Sequence, residues 1–401
     1  MGVLAANGIG LPAFWDSLVQ ARSGIAPITL FDASTHRIKL AGEVKGFQFS
    51  DYGVSSIKER RHGRHTLFAL AATRMAMTQA RLTVDDLRAL EPVPIAVGIS
   101  TSAMDVIEHN EDVLQAKGPD RVSPFGVSSC LPHAVSSVIG DDLGISNQRF
   151  TFSSACSAGL DALALAAELI RAGKSDLVIA GGMDAPVTPL AVASFGKSGL
   201  MPPLEAHMER CSRPFDRQRI GGILAEGGGM FIVERWEHAE ARGIKPLAEI
   251  LGYGNCADAS GTPPGAGLAR SMAVAISNSG LMPADIDYVC AHGPSDPVID
   301  RVETEMIKQV MGQHAYRIPV SSIKGVTGNP LAGAGPLQVA ACAQMFGQDT
   351  VSPTANYEEP DPDCDLDYVP NKPYAMSINR ALINLHGLGG GNSSLVVQRV
   401  A

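Results

Sequence analysis

The sequence is poor in aromatic and charged residues. Phe, Trp and Tyr together make up 5% of the 401 residues, charged residues make up 18%, and the formal net charge is -9. Nucleic-acid binding needs a concentrated basic surface, so this balance argues against a general role on DNA or RNA. One basic cluster, residues 58–65, fits either the docking of an acidic partner or a solvated helix start.

The sequence also lacks paired cysteines, a leader segment and a long apolar run. Its seven cysteines are odd in number and contain no C-x-x-C pair, which indicates neither a disulfide framework nor a zinc site. No basic segment precedes the early Asp16, so no secretory signal is predicted and the cytoplasm is the expected compartment. Glycines and prolines interrupt the longest uncharged stretch, which follows Lys324, and this excludes a membrane helix there.

What is present is a large apolar chain with many glycines. Hydrophobic residues make up 45% and there are 42 glycines, a composition typical of a compact α/β protein with tight turns. Short apolar runs alternate with helical patterns, without a low-complexity linker or a repeat, which predicts layered α/β architecture in one compact unit. The predicted strands are residues 93–99, 177–180, 230–233, 286–290 and 395–397, and the predicted helices are residues 66–79, 266–279 and 336–346.

One cysteine lies in a segment typical of a nucleophile. Small residues surround Cys156 at positions 153–159, and the Ala- and Leu-rich run at 160–170 predicts a buried helix that begins near it. Unpaired N–H groups at a helix start stabilise a thiolate, so the pattern predicts a lowered thiol pKa. The alternative is a buried, unreactive cysteine that packs as a small hydrophobe.

Two later segments place polar residues just after predicted strands. His292 follows the run at 285–290, and loop ends of this kind commonly carry catalytic groups. Lys324 and Asn329 share one glycine-rich loop after residues 319–323. Taken singly, each has a structural alternative, because a histidine at a strand end can simply support the fold and a glycine-rich loop can simply turn.

Together these segments resemble the elongating β-ketoacyl-acyl-carrier-protein synthases, the condensing enzymes of fatty-acid and type II polyketide assembly in the thiolase-like superfamily. The resemblance implies an α/β, five-layered αβαβα fold of two similar halves, here residues 1–240 and 241–401. It also implies a homodimer or a heterodimer with a homologous subunit, acyl groups delivered on acyl-carrier-protein phosphopantetheine, and no tightly bound cofactor or metal. The matching segments are residues 23–25, 31–32, 41–44, 51–52, 123–125, 155–159, 180–182, 212–216, 225–227, 291–293, 320–324 and 389–392.

The family's first strand is a short apolar run that ends in glycine, and it is expected just before Gly2. This chain starts at Met1, so several residues of that strand are expected to be missing. Loss of a central strand would leave hydrogen-bonding groups of its neighbours without partners.

The resemblance assigns roles to individual residues. Cys156 would accept the acyl chain as a thioester, which divides acyl transfer and carbon-carbon bond formation into two steps. His292 would position the extender unit, support its decarboxylation and stabilise the enolate. Lys324 and Glu303 would form a partly buried charged pair that orders the loops, or an ion pair with a structural role only. The residues expected to contact the oxyanion or the acyl chain are Leu388, through its backbone N–H, and His386, Phe195, Thr327 and Gly389.

The chain departs from the family pattern around the expected site. Asn329 stands where elongating synthases carry a second catalytic histidine, so a donor is kept and an acid/base group is lost. The related initiating synthases work with Cys, His and Asn, and condensation therefore stays chemically feasible. Pro330 favours extended geometry at Asn329. Asp296 lies four positions after His292 and would raise the histidine's pKa if the two side chains meet.

The C-terminal loop at 386–392 differs as well. Leu388 stands where the family has an aromatic gate, which predicts altered acyl selectivity. His386 either offers a replacement ionisable group or only lines the pocket.

Three functions are compatible with these residues. The first is decarboxylative condensation on Cys156. The second keeps acyl loading but omits decarboxylation, giving an acyltransferase, a thioesterase or a C-O bond-forming catalyst, and Asn329 motivates it. The third is a non-catalytic subunit akin to a chain-length factor, which the presence of Cys156 disfavours. Thiolase chemistry needs a second catalytic cysteine, and the C-terminal loop contains no Cys-x-Gly motif.

Overall fold

The computed structural model describes residues 1–204, Met208 and residues 210–400, apart from the side chains of residues 56 and 57. The strands in this part are β1 Gly2–Ala5, β2 Gly8–Ile9, β3 Ile25–Pro27, β4 Leu40–Gly42, β5 Ile95–Gly98, β6 Arg149–Phe152, β7 Leu177–Asp184, β8 Gly227–Glu234, β9 Glu249–Ala257, β10 Tyr288–Cys290, β11 Val320–Ser321, β12 Thr350–Val351, β13 Tyr374–Ala375, β14 Arg380–His386 and β15 Gly391–Gln398. The helices are α1 Leu11–Val19, α2 Ser56–Arg61, α3 Arg64–Gln79, α4 Val84–Ala89, α5 Met104–Lys117, α6 Gly126–Cys130, α7 Ala134–Leu143, α8 Ala158–Arg171, α9 Pro189–Ser198, α10 Trp236–Ala241, α11 Ala266–Asn278, α12 Ile299–Met311, α13 Lys324–Thr327 and α14 Ala334–Gln348.

Two mixed sheets form the framework. The six-stranded sheet runs in the order β2-β1-β8-β7-β5-β6, and its strand β7 is buried along its whole length between parallel β5 and antiparallel β8. The five-stranded sheet runs in the order β11-β10-β14-β15-β9, with β10 parallel to both of its neighbours. Two small two-stranded sheets, β3-β4 and β12-β13, complete the set.

Helices pack in three layers around the two large sheets. Helices α3 and α7 contact the six-stranded sheet, α11 contacts the five-stranded sheet and α12 packs on α11, while α8 and α14 contact strands of both sheets. The largest buried apolar cluster includes Leu163 of α8, Leu337 of α14 and strand residues from both sheets. The chain therefore builds the αβαβα order that the resemblance implies.

The predicted elements are present, with shifted ends. The strand predicted at 177–180 continues to Asp184, and the one predicted at 286–290 begins at Tyr288. The helix expected near the cysteine begins at Ala158 and is buried on nearly every side through its first three turns. Its alanines are short enough to let two sheets pack closely against one helix, which explains the strong helical pattern without a polar face.

The first strand of the chain is short. Strand β1 pairs with β8 from Gly2 opposite Met230 to Ala5 opposite Gly227, so a strand does occupy this position of the sheet. Residues 231–234 of β8 extend beyond β1 and border a cavity of about 500 Å³ with mainly apolar walls. Strand β1 therefore pairs with residues 227–230 of β8 and leaves residues 231–234 beside the cavity.

Two further expectations concern surfaces. In the part of the chain that the structure describes, no helix is long and apolar enough to cross a membrane.

Within the basic cluster at 58–65, Lys58 pairs with Asp142 and Arg64 pairs with the buried Glu226. These two cations are therefore engaged inside the fold and are not available to an acidic partner.

Candidate active site

Cys156 lies in a one-turn 3-10 helix, Ala155–Ser157, immediately before α8. Ala155 has a φ of 56°, a left-handed conformation that non-glycine residues adopt at an energetic cost. Two hydroxyl groups hold the turn, since Ser157 donates to the Ser154 carbonyl at 2.8 Å and Ser154 donates to the Asp161 carboxylate. The turn therefore presents the cysteine from a fixed backbone.

The Asp161 carboxylate also joins the cysteine turn to the second sheet. Its Oδ1 accepts hydrogen bonds from the Tyr253 hydroxyl at 2.7 Å and the Ser393 hydroxyl at 2.6 Å. Because these residues belong to β9 and β15, the position of Cys156 depends on both halves of the chain.

A glycine lets the loop that carries Asn329 approach the cysteine. A Cβ atom on Gly159 would lie 2.3 Å from the Ala332 carbonyl oxygen and 2.5 Å from Pro336 Cδ. Only glycine fits at this contact, so the start of α8 packs directly against the residues that lead into α14. The Asp184 carboxylate accepts the Ala332 N–H at 2.9 Å and fixes the same loop from the other side.

Burial keeps the free thiol of Cys156 protonated. It raises the pKa of Cys156 to about 11. Three groups lower the pKa and so oppose the effect of burial: the Lys324 ammonium, the Leu388 backbone N–H and the Asn329 side chain. The lowered pKa expected from the helix start is wrong, because loss of water around the thiol outweighs these donors. Attack by this sulfur on an acyl group therefore requires a proton acceptor.

His292 follows strand β10 and is buried. Lys324 Nζ lies 3.3 Å from its Nδ1 and also donates to its carbonyl oxygen. An ammonium group can only donate, so Nδ1 is the acceptor and the ring proton is on Nε2. Burial, then Lys324 and His386, lower the pKa of His292 well below its usual value. The imidazole is consequently a neutral hydrogen-bond donor.

Lys324 and Glu303 are both fully buried, and each contacts His292. Glu303 accepts the N–H groups of His292 and Gly293, both at 2.8 Å. Burial lowers the pKa of Lys324 to about 8 and raises that of Glu303, while their mutual attraction favours the charged form of each. No direct ion pair joins these two described residues; each is instead hydrogen-bonded to His292. Both are also more deeply buried than the predicted, partly buried pair.

Asp296 does not raise the pKa of His292. It shares a cavity wall with His292, but its Oδ1 accepts the N–H groups of Val298 and Ile299, at 2.8 and 2.9 Å, where α12 starts. No hydrogen bond joins these two described side chains, so the condition for an upward shift is not fulfilled and the pKa of His292 is lowered. Burial and the adjacent Lys324 ammonium outweigh a carboxylate that is occupied by backbone donors.

Asn329 is held by its backbone against the residues that precede β8. Its N–H donates to the Ile223 carbonyl at 2.7 Å, and its carbonyl accepts the Ala225 N–H at 3.1 Å. The side-chain amide lines the cavity beside Cys156 and lowers the pKa of its thiol. Among the described residues, Asn329 Oδ1 is a buried atom without a hydrogen-bond partner. The residue supplies an amide donor beside the cysteine and one unused acceptor.

A cavity of about 170 Å³ opens beside the cysteine. Leu388, at its wall, is 53% exposed. Thr327 is not part of the wall, because its hydroxyl donates to the backbone carbonyls of Ile323 and Gly328. The predicted residues that line the cavity are Cys156, His292, Asn329, Phe195, His386, Leu388 and Gly389.

The apolar wall of this cavity was not predicted from the sequence. It is supplied by segments far apart in the chain, and an apolar side chain alone carries no signal that it faces a ligand. The residues concerned are Leu200, Met201, Ile223, Leu224, Ile299 and Leu331.

Models of protein families match this chain over most of its length. The model described as "Beta-ketoacyl synthase, N-terminal domain" matches residues 1–239, and that described as "Beta-ketoacyl synthase, C-terminal domain" matches residues 247–358. The chain belongs to the β-ketoacyl synthase family. The synthase is 36% identical to a Synechocystis sp. protein named 3-oxoacyl-[acyl-carrier-protein] synthase 2, over 100% of this chain and 96% of that protein.

Solved structures agree with this assignment. The synthase superposes on "the ishigamide ketosynthase/chain length factor" with a TM-score of 0.91 and 30% identity, covering 100% of this chain and 98% of that one. It superposes with a TM-score of 0.88 and 32% identity, at the same coverage, on a type II PKS acyl-carrier protein in complex with its ketosynthase. The synthase therefore has the thiolase-like ketosynthase fold and is an acyl-transferring condensing enzyme of fatty-acid or polyketide biosynthesis.

Proposed function

We propose that this synthase carries an acyl group on Cys156 and condenses it with a malonyl-type extender by decarboxylation. The observation that supports the proposal best is that Asn329 and Leu388, from two different loops, line the cavity at Cys156 and lower the pKa of its thiol. His292 lines the same cavity. Fixed donors in a buried site stabilise the negative charge that forms during acyl transfer and enolate formation.

In the first half-reaction, the Cys156 sulfur attacks the thioester carbonyl of an acyl group carried on phosphopantetheine. The oxygen of the tetrahedral intermediate takes hydrogen bonds from the backbone N–H groups of Cys156 and Leu388. Collapse of the intermediate leaves the acyl group on the cysteine and releases the phosphopantetheine thiol. Phosphopantetheine acts as a tether of the substrate, so the proposal includes no tightly bound cofactor.

In the second half-reaction, the extender loses CO₂ and its enolate attacks the Cys156 thioester. His292 donates from Nε2 to the enolate oxygen, because Lys324 holds Nδ1 as an acceptor. We interpret Asn329 as an Asn-for-His variant of the elongating type, which supplies a second donor and no proton transfer. Cleavage of the carboxylate C-C bond itself transfers no proton, so two neutral donors are sufficient for this step.

We further propose an acyl carrier protein and a second ketosynthase subunit as partners. Strand β6 is the outer strand of the six-stranded sheet, and such an edge presents backbone groups that can pair with another chain. Helix α6 packs on α7, which contacts β6, and Phe125 and Val127 are exposed in this region. A twofold dimer, with the same or a homologous subunit, could pair β6 with the β6 strand of its partner and cover α6. It would bury both the edge of the sheet and the exposed side chains of Phe125 and Val127.

Two finer assignments belong to the same proposal. The two halves of the fold divide near residue 240. We assign the protein to the cytoplasm, in keeping with the absence of disulfides among the described residues.

A second candidate function is acyl transfer without decarboxylation, in an acyltransferase, a thioesterase or a C-O bond-forming catalyst. Asn329 favours it, since an amide cannot exchange protons near neutral pH. A subunit akin to a chain-length factor is the third candidate, and the presence of Cys156 in the cavity wall disfavours it.

One two-step assay separates these functions. The purified protein is incubated with an acyl-carrier-protein thioester and then with malonyl-carrier protein, while intact mass and CO₂ release are followed. Condensation predicts a mass increase of one acyl group, then CO₂ and a ketoacyl product two carbons longer. Transfer of the acyl group without CO₂ would establish the second function, and the absence of any adduct would indicate the third.

A further inference from the structure

His386 has a defined proton arrangement because the side chain beside it cannot flip. Asn392 Nδ2 donates to the Gly390 carbonyl at 2.9 Å and the Cys256 carbonyl at 3.2 Å. Asn392 Oδ1 therefore points to His386 Nδ1, at 2.7 Å, and a carbonyl oxygen can only accept there. The His386 proton is on Nδ1, which leaves the lone pair of Nε2 free.

The His386 and His292 rings therefore present opposite hydrogen-bonding groups, an acceptor and a donor. Their ring centroids are 6.1 Å apart, and both line the cavity that contains the Cys156 sulfur. His292 presents an Nε2–H donor because Lys324 occupies its Nδ1. His386 presents an Nε2 acceptor. The backbone after His386 lies against the cysteine turn, where a Cβ on Gly387 would be 3.4 Å from the Cys156 nitrogen.

The other polar groups of the cavity are poor proton acceptors for the thiol. Asn329 has an amide, which does not take a proton near neutral pH. His292 Nδ1 is occupied by the Lys324 ammonium. Asp296 accepts two backbone N–H groups on Oδ1 at the start of α12, and a carboxylate is a much weaker base toward a thiol than an imidazole. Among the described residues that line the cavity, His386 is the one imidazole with an unoccupied acceptor.

We propose that His386 is the general base of acyl transfer and accepts the Cys156 thiol proton on Nε2, directly or through one water molecule. The inference rests on the proposed acylation of Cys156. The Sγ–H bond breaks as sulfur bonds to the thioester carbonyl carbon, and the carbonyl electron pair moves to oxygen. When the tetrahedral intermediate collapses, the C-S bond to phosphopantetheine breaks and the His386 imidazolium returns the proton to that leaving thiolate.

The charged and titratable groups around His386 come from every element packed against it. His292 and the Lys324 ammonium behind it lie on one side, and Cys156 lies across the cavity. Asp296 is in the cavity wall, and Asp258 lies beside Gly390 of the same loop. The pH dependence of the Cys156 alkylation rate therefore depends on all of these residues. The contribution of His386 is the difference between the profiles of a His386 variant and the parent protein.

The test measures alkylation of Cys156 by iodoacetamide from about pH 5 to about pH 10, with the alkylated peptide quantified by mass spectrometry. This probe reports proton removal whether or not the protein condenses acyl groups, so failure of the proposed function leaves the result readable. His386→Gln keeps a polar side chain but removes the base, and we expect a rate about 100-fold lower near pH 7. The deficit should shrink toward pH 10, where hydroxide supplies the thiolate.

Two further variants distinguish the loss of a base from a change in packing. His386→Ala should regain alkylation when imidazole is added to the buffer, which an effect on packing would not produce. His314→Gln, a half-buried histidine bonded to the Ile286 carbonyl at the far end of β10, is the matched control and should keep the parental profile. A parental rate in His386→Gln, or a deficit of equal size at every pH with no rescue by imidazole, would overturn the assignment.

Discussion

Around the Cys156 sulfur, each polar group of the site has a single hydrogen-bonding role. Lys324 makes His292 a donor, and Asn392 makes His386 an acceptor. The Asn329 amide lowers the pKa of the Cys156 thiol and leaves its Oδ1 unused. Stabilisation of negative charge and removal of a proton are therefore assigned to different residues, in a site where Asn329 stands in place of the second histidine that elongating synthases are expected to carry.

The role of Asn329 predicts the effect of restoring an imidazole. Because two neutral donors are sufficient for decarboxylation as proposed, Asn329→His should change the rate of CO₂ release by less than about tenfold, and a larger increase would contradict that mechanism. The matched variant Asn329→Ala removes the amide donor beside Cys156 and should lower the rate of acylation about 100-fold. CO₂ release from malonyl-carrier protein and the acylated mass are measured for both. An unchanged CO₂ rate in Asn329→His would refute the idea that the imidazole is limiting.

For single residues, the sequence predicted which side chains line the cavity but did not predict their pKa shifts or proton positions. Cys156, His292 and Asn329 were found because each lies in a distinctive short segment. The direction of the Cys156 pKa was predicted wrongly, since it depends on enclosure by residues from other segments. The role of Lys324 on His292 Nδ1 was not predicted either, because side-chain spacing in sequence does not say which atoms meet.

At the scale of secondary-structure elements, the site depends on the contact between the start of α8 and the loop before α14. Gly159 allows the Ala332 carbonyl to approach, and Asp184 at the end of β7 binds the N–H of the same residue. The loop that carries Asn329 is therefore positioned by the middle layer of the fold. The elements themselves were predictable from periodicity, but this contact was not, because a glycine in a helical run has several explanations.

Gly159→Ala tests this contact. The added Cβ would overlap the Ala332 carbonyl, so we expect a loss of about 1–3 kcal/mol in the free energy of unfolding and slower acylation. Gly347→Ala is the matched control, because that helical glycine of α14 has no atom within 4 Å of a built Cβ. Its unfolding free energy should be unchanged or slightly higher. Equal stability of the two variants in denaturant titration would contradict the proposed role of the contact.

At the scale of the whole molecule, two sheets and three helical layers bring segments from both halves to one small cavity. The alternation of strands and helices was sufficient to predict the layered architecture. The apolar wall of the cavity, such as Met201 and Leu331, was beyond sequence reasoning because only the tertiary fold shows which buried apolar residues surround empty space. The 500 Å³ cavity beside residues 231–234 is a further feature that only the structure reveals.

The proposed subunit interface predicts the oligomeric state. Val127 on α6 is 77% exposed, and Val127→Asp would place a charge in an apolar contact, so we expect dissociation to the chain mass in light scattering. Met282→Asp changes a residue that is 69% exposed beside α11, on the outer layer of the second sheet, and should leave the dimer intact. Identical masses for the two variants would place the interface elsewhere.

The most direct test of the central claim is the mass of the protein after incubation with an acyl-pantetheine thioester. We predict that one acyl group is added, that it maps to the peptide containing Cys156, that Cys156→Ala abolishes it, and that Cys256→Ser, a half-buried cysteine outside the cavity wall, retains it. An unmodified parent protein, or an acyl group that persists in Cys156→Ala, would contradict the claim that Cys156 carries the acyl intermediate.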